Sequence, residues 1–161
     1  MKSQSGFTLV ELMVVVVLIG IILAMVTLNF TQLNEKYTVE SNMKEIYSML
    51  MRARNDASTT NMPRLVVIAA NQVQTGADAD GNNIIDGVAV TKRYPRFTIN
   101  CGINPCVGNT VAFDRRGLTN NNQTISVAGF SAGTTPAMDC IVIAATRINI
   151  GIMTGGNCVQ R

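Results

Sequence analysis

Residues 7–28 read FTLVELMVVVVLIGIILAMVTL, a run whose only charge is Glu11. A helix of about 22 residues rises roughly 33 Å, enough to cross the hydrocarbon core of a bilayer. Ahead of it stands a polar leader, Met1-Lys2-Ser3-Gln4-Ser5-Gly6. A secretory signal peptide carries its small-residue cleavage site after the apolar run. Here the run is followed by Asn29-Phe30-Thr31-Gln32, and the small-residue junction is Gly6–Phe7, before it. Cleavage there leaves the apolar helix on the mature chain, and Lys2 favours a cytoplasmic N-terminus.

Glu11 does not fit a plain anchor. A carboxylate inside an apolar helix costs about 2.5–3.5 kcal/mol on insertion scales, so it calls for a proton or a positive partner. A free amine created at Phe7 lies four positions back, on the same helical face. An amine on a neighbouring subunit would serve equally; a protonated Glu near the interface is the third reading.

Gly6-Phe7-Thr8-Leu9-Val10-Glu11 at the head of an apolar helix resembles the signal of type IV pilins and type II secretion pseudopilins. The resemblance implies cleavage after Gly6 by a prepilin peptidase of the bacterial inner membrane and N-methylation of Phe7. It also implies that Glu11 pairs with the Phe7 amine of an adjoining subunit during assembly. Major pilins usually carry a Pro late in this helix. Here Leu28 and Asn29 occupy that stretch and the first Pro is Pro63, which argues for a continuous helix and against a bulk-subunit role.

Farther along, Val39, Met43, Ile46, Leu50, Ala53 and Ala57 alternate at spacings of four and three, one apolar face of an amphipathic helix. Glu35, Lys36, Glu40, Lys44, Glu45, Arg52 and Arg54 fall on the remaining surface. With no Gly or Pro from Ile21 to Asn61, a single helix over residues 7–58 is predicted, with residues 7–28 spanning the membrane or forming a filament core. Met49-Leu50-Met51 reads as packing against the head.

From Pro63 on, short β-branched runs alternate with turn residues. Strands are predicted at residues 65–70, 88–94, 96–100, 111–113, 124–127, 140–144 and 147–150. The run at 96–100 is expected to extend or pair with that at 88–94, and the last two to form a hairpin across Ala145-Thr146. The fold class is therefore α+β: a leader over 1–6, a long helix over 7–58, and a small antiparallel β-rich head over 59–161. The pieces are most similar to GspH/FimT/FimU-type minor pilins, through Phe113-Asp114-Arg115-Arg116-Gly117, the hairpin ending Arg147-Ile148-Asn149-Ile150-Gly151, and the loop at 78–87.

Cys101, Cys106, Cys140 and Cys158 all lie in the exported head, where an even count favours disulfides. Three pairings exist; sequence proximity favours Cys101–Cys106 with Cys140–Cys158. A four-thiolate zinc site is the competing reading, but paired C-x2-C knuckles are missing. Asp78, Asp80, Asn82 and Asp86 set oxygen side chains at alternating positions, as calcium loops do. The Gly is fourth and the twelfth residue is Ala89, so this is no EF-hand, and an Asx-rich turn is the plainer alternative.

The chain has 13 Lys and Arg against 10 Asp and Glu and no His. Missing His removes the commonest general base and zinc ligand. No Gly-rich phosphate loop or G-x-S-x-G occurs, so a structural subunit without a cofactor, rather than an enzyme, is expected. Loss of the leader takes Lys2 away, leaving little net charge for counterion release on DNA. Some FimT-type minor pilins, which these pieces resemble, bind DNA through a C-terminal G-R-x-R; Thr146-Arg147-Ile148-Asn149 keeps one Arg, and Arg147 and Arg161 are the candidate contacts. The expected partners are other pilins or pseudopilins, the prepilin peptidase and the inner membrane. Localisation would be single-pass with a periplasmic head, then in a pilus or pseudopilus. Within this reading the chain primes or caps a type IV pilus; a type II secretion pseudopilin and a DNA-uptake pilin are the alternatives. The mean hydropathy of +0.24 is then explained chiefly by one N-terminal stretch.

Overall fold

The computed structural model describes residues 7–160, with residues 25–29 described by their helical backbone alone. Helix α1 runs unbroken over Leu9–Thr60, about 78 Å at ~1.5 Å per residue. Thr8 caps it in an extended conformation, its Oγ1 accepting the Glu11 N–H at 3.3 Å. Thr8-Leu9-Val10-Glu11 thus has the capping-box order, with an acid in the first turn where the helix dipole favours negative charge. Asn61, left-handed at φ 53°, ends the helix two residues before Pro63, as an αL cap does.

Ten strands follow among the described residues: β1 (Arg64–Ala69), β2 (Gln72–Ala77), β3 (Asp86–Arg93), β4 (Thr98–Cys101), β5 (Asn104–Pro105), β6 (Val107–Phe113), β7 (Gln123–Ala128), β8 (Cys140–Ile143), β9 (Ile148–Thr154) and β10 (Asn157–Gln160). They form two antiparallel sheets, ordered β3-β2-β1-β6 and β10-β9-β8-β7-β4-β5. The C-terminal half of α1 packs against both. The stripe Val39, Met43, Ile46, Leu50, Ala53 and Ala57 is wholly buried. It meets Val66, Ile68 and Phe113 of the first sheet and Ile99, Ile125 and Ile141 of the second. Leu50 is fully buried, Met49 packs at the core's edge, and Met51 turns outward.

Two expectations are corrected. Residues 96–100 do not extend or pair with residues 88–94. After β3 the chain turns at Tyr94-Pro95, with the Phe97 N–H donating to Tyr94 O at 3.5 Å, and β4 joins β7 in the other sheet. Pro95 has no N–H to donate to a ladder and its fixed φ suits a turn, so β3 ends ahead of it. β2, β5 and β10 were not anticipated. Glu35, Glu40 and Glu45 lie on the surface around the buried stripe, as expected, and each also joins the helix to the head.

Those three joints are specific. Glu35 accepts from the Ser131 N–H (3.0 Å), the Ser131 hydroxyl (2.9 Å) and the Thr134 hydroxyl (3.1 Å). Glu40 accepts the Ala137 N–H at 2.7 Å. Both carboxylates hold the loop between β7 and β8. Glu45 pairs with Lys92 of β3 at 2.9 Å.

Candidate functional site

The helix has two contrasting halves. Over residues 9–24 its large apolar side chains range from 44% exposed at Val15 to 76% at Leu9. They point in all directions around the axis. An apolar surface of this extent marks a contact with membrane or protein. Residues 9–24 rise only about 24 Å, and among the described residues no helix is long and apolar enough to cross a membrane. The span expected over residues 7–28 extends into residues 25–29, whose side chains lie outside the description.

Phe7 is 79% exposed just ahead of the cap, and Glu11 is exposed one turn into the helix. Gly6, Lys2 and the rest of the leader lie outside the described residues. Sequence reasoning passed over the Thr8 cap, although Thr followed three residues later by Glu signals it.

The acidic loop hangs between β2 and β3. Backbone pairing of Ala77 with Asp86 closes the ladder, so Asp78 leaves the sheet beside the point where Asp86 enters it. One carboxylate oxygen from each of Asp78, Asp80 and Asp86 lies within 4.8 Å of the others. Asn82 serves the turn instead: its amide donates to Asp80 Oδ2 at 2.7 Å and its Oδ1 accepts the Ile84 N–H at 2.7 Å.

Phe113-Asp114-Arg115-Arg116-Gly117 has a clear mechanical role. Phe113 is buried in the core. Asp114 Oδ1 accepts the Arg116 and Leu118 N–H groups, both at 2.8 Å, making a tight turn. Gly117 sits at φ 73°, where a Cβ would come within 3.0 Å of Arg54 O on the helix. Both the left-handed backbone and the close approach require glycine.

The cysteines form two bonds, Cys101–Cys106 and Cys140–Cys158. The first closes the β4–β5 turn; the second crosses β9 to tie β10 to β8. Gly151 of β9 lies beneath the second bond, and any Cβ there would meet Val159 O and the Cys158 sulfur. With all four sulfurs so bonded, no free cysteine remains among the described residues, and the four-thiolate zinc reading is set aside.

The basic residues are distributed rather than gathered. Lys92, Arg93 and Arg96 line an open cleft of about 560 Å³ against the helix at Ser41, Asn42 and Glu45. Tyr94, almost fully buried, also lines it. Burial, then the neighbouring Glu45 charge, pushes its phenol well above the ordinary range. Arg147 stands exposed beside the β8–β9 turn, in the other sheet, and Arg161 lies outside the described residues.

Residues 1–27 match the family model described as the prokaryotic N-terminal methylation motif. The fold is similar to the crystal structure of the type IV minor pilin FimU from Pseudomonas aeruginosa (strain PAO1), with a TM-score of 0.55 at 17% identity. That match covers 81% of this chain and 97% of the other. No curated protein matches the chain. The chain therefore joins a methylation-type N-terminus to the fold of a type IV minor pilin.

Proposed function

We propose that this chain is a minor pilin, a structural subunit that primes or caps assembly of a type IV pilus. The observation that carries the reading is the division of one unbroken helix: residues 39–57 bury a single stripe in the head, while residues 9–24 expose apolar side chains on every side. A helix apolar all round needs a lipid or a bundle of similar helices to cover it. The methylation motif at residues 1–27 supports the same reading.

In this reading residues 7–28 anchor the precursor in the inner membrane with the head in the periplasm. A prepilin peptidase cuts between Gly6 and Phe7, and Phe7 gains a methyl on its new amine. The helix then leaves the bilayer for the filament core, where Glu11 accepts the Phe7 amine of a neighbouring pilin. The chain performs no catalysis; its work is to present a helix for bundling and a rigid head outside.

Intact-mass measurement of the membrane-extracted protein tests the first step. Loss of residues 1–6 with the gain of one methyl is expected, and an unprocessed chain would overturn the proposal. Deleting the gene and scoring surface pili, exoprotein release and DNA uptake tests the second. Loss of pili is expected. Failed exoprotein release with pili intact would assign the chain to a secretion pseudopilus instead, and failed DNA uptake alone would assign it to a transformation apparatus.

A further inference from the structure

We propose that the loop between β2 and β3 holds one calcium ion through Asp78, Asp80 and Asp86. Two independent observations meet there. The first is convergence: the three carboxylates bring oxygens within 4.8 Å of one another. Oxygens bound to one calcium ion at about 2.3–2.6 Å lie no more than roughly 5 Å apart, so three that lie this close together can share one ion. The second is an unsatisfied group. Asp78 is 3% exposed, its Oδ1 is buried, and among the described residues nothing donates a hydrogen bond to it.

Burying a carboxylate oxygen without a donor or a cation is strongly unfavourable. Oδ2 of the same group takes the Asn83 N–H at 3.2 Å, so only part of the charge is met. Arg64 opens β1 opposite Ala77, yet no ion pair joins it to Asp78; the ion pair found among the described residues is Lys92–Glu45, on another face. A divalent cation would answer both the buried oxygen and the mutual repulsion of three carboxylates.

The loop is also fixed at both ends. The Asp78 N–H donates to Pro63 O at 3.1 Å, and the Ala79 N–H donates to Asp86 Oδ2 at 2.7 Å. Ile85 packs on Gly76 so closely that any Cβ there would collide with it. The oxygen-only ligand set favours a hard cation over zinc. Magnesium, at about 2.0–2.1 Å, demands a near-regular octahedron and keeps several of its waters. Calcium tolerates an irregular set of carboxylates on one loop, with backbone carbonyls and water completing six to eight ligands.

The test uses the full chain in detergent micelles. Equilibrium dialysis with radioactive calcium should give one ion per chain, with a Kd of about 10⁻⁵–10⁻³ M. The thermal midpoint should rise in CaCl2 and fall back on adding EGTA. Asp80→Asn with Asp86→Asn alters two exposed side chains. It should weaken binding at least tenfold while melting like the unaltered chain in EGTA. Asp56→Asn, an exposed acid on the helix, should bind normally. Three results would each overturn the assignment: no binding at about 10 mM calcium, undiminished binding by the double variant, or an equal thermal shift with MgCl2.

Discussion

The Glu35 carboxylate receives both the backbone N–H and the hydroxyl of Ser131, a residue 96 positions away. With the Thr134 hydroxyl joining the Ser131 N–H on Oε2 and Ala137 donating to Glu40, these bonds strap the β7–β8 loop to the helix near the junction of its two halves. The head is thereby joined to the helix by directed bonds as well as by the apolar stripe.

These bonds make the junction sensitive to acid. Donation chiefly from the Ser131 N–H and then its hydroxyl holds the Glu35 carboxyl below its ordinary value. A carboxyl lowered in the folded state contributes stability above the ordinary glutamate range and loses it as pH falls through the lower folded value. Between about pH 6 and pH 3 the thermal midpoint of the unaltered chain should therefore fall more steeply than that of Glu35→Gln. The gap between the two should be widest at the upper end and close in acid. Parallel curves would refute the coupling.

Gly151 is predicted to tolerate no side chain, because the Cys140–Cys158 bond and Val159 O occupy the space above it. Gly151→Ala should lower unfolding stability by about 1–3 kcal/mol, the usual range for an overpacked site. Gly20→Ala, where nothing lies within 4 Å, should leave the melting of the head unchanged. Chemical denaturation of the two variants side by side checks the contrast.

How much of this was legible beforehand depended on how local each signal was. The stripe from Val39 to Ala57 could be read because a helix repeats every 3.6 residues, and those positions alone fix one face. The acidic loop could be read because its residues are consecutive. The burial of Asp78 could not, since it follows from the Ala77–Asp86 pairing and from Pro63 across the sheet. β2 escaped because Gln72-Val73-Gln74-Thr75-Gly76-Ala77 fully buries, among its large apolar side chains, only Val73. β10, at four residues, is an edge strand tied on by its disulfide. The Glu35–Ser131 joint had no local signal at all. Sequence proximity favoured the same two cysteine pairs that the structure contains, because each bond spans a short segment of 5 or 18 residues.

The two halves of the helix should respond differently to truncation. Ile46 is completely buried, and Ile46→Ala should destabilise the head by about 2–5 kcal/mol. Val14 is 53% exposed, so Val14→Ala should leave the thermal midpoint within error while reducing incorporation into filaments. A large loss of head stability in Val14→Ala would contradict the division of labour along the helix.

Glu11 gives the sharpest test of the assembly reading. Its backbone N–H serves the Thr8 cap, so Glu11→Gln keeps the cap, the side-chain length and the hydrogen-bonding oxygen while removing the charge. Processing at Gly6–Phe7 and the melting of the head should both be unchanged. Incorporation into filaments should fail, because a neighbour's amine would enter an apolar bundle unpaired. Leaving one member of a buried pair alone costs about 3–5 kcal/mol, at least a hundredfold in association at ~1.4 kcal/mol per factor of ten. Quantitative immunoblots of sheared filaments, normalised to the membrane pool, measure this directly. Normal incorporation of Glu11→Gln would sink the pairing, and the carboxylate would then be read as no more than a first-turn acid favoured by the helix dipole.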